Sequence, residues 1–328
     1  ANEISGCTAS GEVTGERDGS CQIGGLIGYL CAGIAEDCSA DVDVTGADGD
    51  MMGGFTGRIY DGSIVNCASS GNVSGGSRTG GFVGETNSDS YLYNCCCTGD
   101  AIPYSADYSA GGFVGYHIGT VSNCYSAGSV TNGYGLVGDT WSTTSVINHC
   151  FFNSDYSTKA LPDSAGFSGT GASGVSTAYM KSTSFLTDLN DTSAPGYTAD
   201  WDTWVFLSGM NDGYPILTWQ ITPTLTAGTA VRTTQFAATV TFTANEAGEY
   251  YYEVVADGAA APSISTAGTG TACTAGENTI DVTGLTQGAK DIYIVLKDAG
   301  GKVSAPLKMD IPKLFWTDGA APDAGYAF

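Results

Sequence analysis

The side chains that could do chemistry in this chain are 34 acidic residues, eleven cysteines and two histidines. No two cysteines have the Cys-x-x-Cys spacing of a zinc site, so the sequence disfavours a metal centre built on thiols. Six cysteines instead recur with a period of roughly 28 residues. We predict that these six are reduced thiols stacked inside a repeating structure, where a buried thiol behaves as a small apolar group. They are Cys7, Cys38, Cys67, Cys95, Cys124 and Cys150. Outside this column, the pair best placed for a disulfide is Cys21 with Cys31.

The acidic residues give the chain a formal net charge of −23. Such a surface repels nucleic acid and anionic lipid, and no apolar run is long enough for a membrane span, so we expect neither as a partner. Solvation of the surface is the simplest role for these carboxylates. The alternative is calcium, because Asp48 and Asp50 lie close together and offer oxygen ligands. Their spacing does not match an EF-hand loop, and we expect no other cofactor.

Hydrolysis of a polysaccharide would require two carboxylates at a fixed separation. Asp61, Glu85 and Asp89 fall in segments of unequal length between the repeats, so their relation to one another is not fixed by the pattern. His117 and His149 have no evident nucleophile beside them in the sequence. We therefore predict that the chain is not an enzyme. A carbohydrate-active enzyme remains the alternative.

A repeating element must position all of these side chains. After each recurrent cysteine, alternate positions carry small residues, glycine and valine, which is the period of a strand with one face in a narrow interior. An asparagine precedes three of the cysteines, at Asn66, Asn94 and Asn123, and asparagine suits the left-handed backbone of a corner. The sequence therefore predicts an all-β fold in which residues 1–150 form a parallel β-solenoid with three short strands per coil.

The most regular copy, Gly111 to Val130, reads Gly-Gly-Phe-Val-Gly followed by Val-Ser-Asn-Cys-Tyr-Ser-Ala-Gly-Ser-Val. This pattern resembles the GLUG repeat of bacterial surface proteins. The resemblance implies a secreted, extracellular protein at the bacterial cell surface that acts in cell adhesion. It also permits a non-catalytic segment of a surface peptidase. No catalytic residue comes with the repeat.

Residues 151–220 are predicted to form the solenoid end and an aromatic-rich cap, with a short helix over 177–189 and a hairpin. Trp201, Trp204 and Trp219 are expected to cover the last coil, and sugar stacking on their rings is the alternative. Asp89 and Tyr91 lie in a variable segment between repeats, the kind of place where solenoids bind ligands. These five residues are the candidate ligand contacts.

Residues 221–312 alternate in short runs separated by turn signals, which predicts an Ig-like or fibronectin type III-like β-sandwich, and 313–328 read as a tail or linker. The chain lacks an initiator Met and is expected to be a piece of a longer exported protein. Taken together, the sequence predicts a non-enzymatic, adhesin-like protein. Its expected partners are a glycan or a surface protein of a host or a neighbouring cell.

Overall fold

The computed structural model describes residues 2–15, 21–47, 50–108, 110–142, 145–162, 171–207, 209–298 and 300–314. The chain divides into two units, residues 1–220 and 221–328.

The first unit begins with a series of short strands. In chain order they are β1 (Asn2–Ser5), β2 (Thr8–Thr14), β3 (Gln22–Gly24), β4 (Ile27–Glu36), β5 (Ser39–Thr45), β6 (Met51–Gly53), β7 (Thr56–Val65), β8 (Ala68–Ser69), β9 (Val73–Ser74), β10 (Arg78–Gly80), β11 (Val83–Thr86) and β12 (Ser90–Tyr93). The series continues with β13 (Cys96–Cys97), β14 (Ala101–Ile102), β15 (Ala110–Gly111), β16 (Val114–Tyr116), β17 (Thr120–Ser122), β18 (Tyr125–Ser126), β19 (Gly133–Tyr134), β20 (Val137–Asp139), β21 (Val146–Asn148), β22 (Cys150–Asn153) and β23 (Ala172–Val175).

These strands assemble into three parallel sheets, so the predicted β-solenoid is present. The glycine sheet consists of β3, β6, β10, β15 and β19, one strand from each of five coils. The bent sheet follows it along each coil and contains β1, β4, β7, β11, β12, β16, β17, β20 and β21. The valine sheet closes each coil with β2, β5, β8, β9, β13, β14, β18, β22 and β23.

Parallel pairing without a register shift places equivalent residues of successive repeats side by side. The rings of Phe55, Phe82 and Phe113 stack in the interior with centroid separations of 5.0 and 4.8 Å, close to the ordinary spacing between strands. The glycine before each ring is required by space, because a methyl group on Gly81 would overlap the carbonyl oxygen of Gly112 in the next coil. The recurrent residues of the sequence are thus the residues that pack in the interior of the coils.

The solenoid extends past residue 150 into the segment predicted to form its end. Strand β22 continues to Asn153, and β23 pairs with it in parallel from Ala172 to Val175. The backbone at Lys159 and Ala160 accepts hydrogen bonds from Gly135 and Leu136 of the preceding coil. The segment after Cys150 therefore adds backbone pairing to the last coil.

A segment that we call the strap (residues 177–207 and 209–220) follows the solenoid. It contains α1 (Thr177–Met180), α2 (Thr183–Leu189), β24 (Trp204–Val205), β25 (Ile216–Leu217) and 3₁₀ turns at Asn211–Gly213 and Thr218–Gln220. The two helices replace the single predicted one because Ser176 and Ser182 each cap a new helix, accepting the backbone N–H of Tyr179 and Phe185. Strands β24 and β25 form the predicted antiparallel pair.

The strap lies along the outer face of the valine sheet. Its apolar side chains, among them Phe185, Trp204 and Leu217, pack on Tyr125 and Phe151 and on smaller residues of neighbouring coils. The expected position over the last open coil is therefore wrong for this segment. The physical reason is that Tyr125 and Phe151 give the outer face of this sheet large apolar groups that need cover.

The second unit contains two antiparallel sheets. Its strands are β26 (Leu225–Thr234), β27 (Ala237–Ala244), β28 (Gly248–Ala256), β29 (Thr271–Cys273), β30 (Gly276–Val282), β31 (Lys290–Lys297) and β32 (Leu307–Ile311). One sheet has the order β26-β27-β30 and the other β29-β28-β31-β32. Alternate residues such as Val240 and Phe242 of one sheet share a core with Ile292 and Ile294 of the other.

Candidate functional site

The recurrent cysteines occupy the interior at one corner of the coil. Five of the six are fully buried, and Cys7 in the first coil is exposed. The Cys67 thiol accepts the backbone N–H of Cys38 at 3.4 Å and donates to the carbonyl oxygen of Val65 at 3.1 Å, an arrangement that recurs at Cys95 and Cys124. All eleven cysteines of the chain lie among the described residues and are free thiols, Cys21 and Cys31 included.

Burial changes the acidity of these thiols. It raises the pKa of Cys67, Cys95 and Cys124 well above the usual range. The pKa of Cys38 is raised mainly by its hydrogen bond with Cys67. A thiol with a raised pKa stays protonated and is a poor nucleophile and a poor metal ligand. The column therefore supplies packing and weak hydrogen bonds.

The asparagine column forms the corner next to the cysteines. Asn66, Asn94 and Asn123 have φ values of 53° to 54°, the left-handed conformation that asparagine tolerates. Their side chains form a ladder in which the Asn94 amide donates to Asn66 at 2.8 Å and the Asn123 amide donates to Asn94 at 2.7 Å. The same amides donate to strap carbonyls, at 2.8 Å from Asn94 to Asp202 and at 3.0 Å from Asn123 to Leu189.

Two of the predicted ligand-binding tryptophans are structural anchors of the strap. Trp204 is 1% exposed and donates its indole N–H to Asn94 at 2.6 Å. Trp219 donates its indole N–H to the Asn66 carbonyl at 2.6 Å. Burial leaves Trp204 no ring face for a sugar, so the prediction of ligand binding by this residue is wrong.

The remaining predicted contacts come together on the outer face of the bent sheet. Tyr91 and Tyr93 point outward from β12 with centroids 5.9 Å apart, and Tyr93 lies 6.0 Å from Trp201 of the strap. Tyr197 meets Trp201 edge-on at 5.5 Å. We call these four rings the tyrosine strip. Tyr91 and Tyr197 are 38% and 40% exposed, whereas Trp201 is 8% exposed and backs the strip.

Asp89 lies in the turn that leads into the tyrosine strip. Its backbone N–H donates to Asn87 Oδ1 at 3.2 Å, and its side chain accepts the Ser88 hydroxyl at 3.2 Å. The side chain is exposed, two residues before Tyr91. The turn therefore holds a carboxylate at one end of the aromatic surface.

The predicted calcium pair is only half described, because Asp48 lies outside the described residues. Asp50 is fully buried and accepts the backbone N–H groups of Cys21 at 3.0 Å and Ala47 at 3.1 Å. Its carboxylate thus ties together the turns of two coils. Among the described residues, no three His, Cys, Asp or Glu side chains are grouped to hold a metal ion.

A column of outward-facing residues on the bent sheet was not predicted from the sequence. Register pairs Tyr29 with Arg58, Arg58 with Glu85, and Glu85 with Tyr116, and Asp139 follows in the next coil. We call this the outward column. Glu85 therefore stands on a strand in fixed relation to its neighbours, and its assignment to a variable segment is wrong. The available signal was its place directly after the last glycine of each Gly-Gly-aromatic-x-Gly unit.

Glu85 is the centre of an ion-pair cluster. Its carboxylate is nearly buried, lies 3.1 Å from Arg58 and is also paired with Arg78. The Arg78 guanidinium lies over the Tyr116 ring at 4.7 Å from its centroid. Both carboxylate oxygens of Glu85 are thus engaged by arginines in the folded chain. Arg17, the third arginine before the strap, lies outside the described residues.

The two histidines have structural partners. His117 is fully buried with Nδ1 2.8 Å from the Thr86 hydroxyl, and burial lowers its pKa to about 4. Nε2 of His149 lies 2.7 Å from the Asp188 carbonyl of the strap, and His149 has the left-handed φ of the corner column.

Comparison with known proteins gives one family match and one relative. The model of the GLUG motif matches residues 106–131. Halomucin of Haloquadratum walsbyi (strain DSM 16790 / HBSQ001) is 30% identical over 152 residues, covering 41% of this chain and 2% of the relative. No solved structure matches. Within the described residues, none of the helices has the length and apolarity needed to cross a bilayer. The chain therefore carries a GLUG repeat and is similar to a small part of halomucin. These two similarities associate its solenoid with cell-surface proteins.

Proposed function

We propose that this chain is an adhesin-like, non-enzymatic part of a cell-surface protein and that it holds its ligand on the tyrosine strip. The observation that carries the proposal is the strip itself. Tyr91, Tyr93, Trp201 and Tyr197 form a continuous series of ring contacts whose two end rings, Tyr91 and Tyr197, are exposed. Aromatic surfaces of this kind contact glycans and proteins.

Rigidity supports a binding role. Tyr91 stands on a strand paired with β7 on one side and β17 on the other. The strap backbone beside Trp201 is fixed by Asn66, whose amide donates to the Asp200 carbonyl at 3.1 Å. A preorganised surface loses little conformational entropy when a ligand binds. Exposed Ile34, which lies two coils from Tyr91 in the same row, adds apolar area.

The absence of catalysis is part of the proposal. Glu85 is paired with two arginines, and Cys67, Cys95 and Cys124 of the cysteine column are buried with a raised pKa. These are the groups that a hydrolase would use, and both are committed to the fold. The alternatives are a carbohydrate-active enzyme and a non-catalytic segment of a surface peptidase.

For the second unit we propose an Ig-like spacer. The support is the two antiparallel sheets that share one core. Arg232 stiffens this unit, since its nearly buried guanidinium donates to the carbonyl oxygens of Thr286 and Gly288 at 2.6 and 2.7 Å and so fixes the turn before β31.

The test is a screen of the purified chain against an array of glycans and matrix proteins. We expect capture of a ligand by the wild type and at least about ten-fold weaker binding by the double variant Tyr91→Ala/Tyr197→Ala. Tyr252→Ala, which removes an equally exposed tyrosine from the second unit, is the matched control and should bind normally. No captured ligand, or equal binding by the double variant, contradicts the proposal. Release of a product from an array ligand would favour the enzyme alternative.

A further inference from the structure

A groove separate from the tyrosine strip opens beside the outward column. It has a volume of about 280 Å³, and its lining includes Arg78, Asp107, Tyr108, Tyr116, Asp139 and Trp141. This volume lies just below the range of about 300–1,000 Å³ for sites that hold small molecules. None of its residues was singled out by the sequence as a ligand contact.

The aromatic side of the groove consists of an exposed ring, Trp141, that packs on a nearly buried ring, Tyr116. Trp141 is 81% exposed, and its ring meets Tyr116 at 5.7 Å and an interplanar angle of 81°. Tyr116 is nearly buried and is covered on one face by Arg78. An exposed indole ring offers an apolar face on which a ligand can stack. Trp141 therefore offers a supported platform at the groove.

The polar side of the groove carries both signs of charge. Arg78 is oriented by Glu85 and Tyr116, and one third of its side chain remains exposed. Asp139 is oriented by the backbone N–H of Thr140, which donates to its Oδ1 at 2.8 Å. Asp107 is exposed at the groove. Hydrogen-bond donors and acceptors thus surround one aromatic platform.

We propose that this groove binds a neutral sugar ring. The apolar C–H face of a pyranose would stack on Trp141, and its hydroxyls would donate to Asp107 and Asp139 and accept from Arg78. An acidic sugar is disfavoured by the two carboxylates and by the net charge of −23. The site shares no residue with the tyrosine strip, and the proposal does not depend on the strip.

The experiment uses the full chain and an array of neutral oligosaccharides of hexoses and N-acetylhexosamines, with sialylated and sulfated oligosaccharides beside them. We expect binding to members of the neutral set. Affinities for a bound oligosaccharide are then measured by calorimetry for Trp141→Ala and Asp139→Asn, which should bind at least ten-fold more weakly. Tyr104→Ala removes another exposed ring that does not line the groove and should leave the affinity unchanged.

Two results would overturn the sugar site. One is the absence of binding to every neutral oligosaccharide, or binding confined to the acidic set. The other is unchanged affinity in Trp141→Ala, with circular dichroism showing that the variant is folded. Tyr91→Ala/Tyr197→Ala separates this proposal from the proposed function, because loss of sugar binding in that variant with retention in Trp141→Ala would move the sugar to the tyrosine strip.

Discussion

The interior columns and the outward column of the same solenoid obey different rules. Inside, one residue type recurs from coil to coil, as in the stacked phenylalanines and the buried cysteines. Outside, the equivalent positions read Tyr29, Arg58, Glu85, Tyr116 and Asp139. Parallel stacking imposes identical surroundings on interior residues, whereas outward residues meet solvent and are free to differ. Stability is therefore concentrated in what repeats, and we propose that recognition lies in what does not.

The largest expected effect concerns the buried thiols at alkaline pH. Cys38, Cys67, Cys95, Cys96, Cys97 and Cys124 all have a raised pKa in the folded chain, that of Cys96 reaching about 12 because of burial. In the unfolded chain the same thiols ionise near pH 8.5. Folding stability is thus fully present below that pH and is lost as pH rises toward the folded pKa values. Each thiol contributes about 1.4 kcal/mol per pH unit.

With six such thiols, the free energy of unfolding should fall steeply at alkaline pH. The slope is about 8 kcal/mol per pH unit once all six are ionised in the unfolded chain. Chemical denaturation of the reduced protein between pH 8 and 10.5 measures it. The variant Cys96→Ala/Cys97→Ala removes two of the six and should lower the slope by about one third. A flat stability profile up to pH 10.5 would contradict thiol burial.

The asparagine column gives the next largest expected effect on stability. Asn94→Ala should lower the free energy of unfolding by at least about 3 kcal/mol, because buried groups of Asn66, Asn123 and Trp204 lose their partner. Asn94→Gly loses the same hydrogen bonds but suits the φ of 54° and should be less destabilised by about 1 kcal/mol. Urea denaturation of both variants provides the comparison. Wild-type stability in Asn94→Ala would show that the ladder does not hold the strap.

One interior position breaks the repetition and should respond to acid. Leu30 and Ile59 are followed by Thr86 and then by His117. Burial lowers the His117 pKa to about 4 from the ordinary 6.5, so the unfolded chain binds a proton that the folded chain does not. The stability contribution is present above pH 6.5 and is lost as pH falls toward 4. The loss between pH 6.5 and 5 is about 1.5 kcal/mol, and it should vanish in His117→Gln.

The solenoid could be predicted from the sequence because interior positions of successive coils carry the same residue types. Gly-Gly-Phe and Asn-Cys recur, and each recurrence reports the same local geometry. The path of the strap was not predictable in this way, since Trp204 and Phe185 reveal that they are buried but not on which sheet. Glu85 was misplaced because a column of unlike residues has no compositional signature. Only the position of Glu85 directly after a repeat glycine indicated its place. Trp141 was not predicted because it lies in the least regular repeat.

The central claim is that interior columns set stability and outward rings set recognition. The most direct test measures melting temperature and affinity for the ligand found on the array, on the same samples of wild type, Cys95→Ser and Tyr91→Ala. We expect Cys95→Ser to melt several degrees lower with unchanged affinity, because a buried hydroxyl replaces a thiol. Tyr91→Ala should melt within about a degree of wild type and bind at least about ten-fold more weakly. A lower melting temperature with unchanged affinity for Tyr91→Ala would contradict the account.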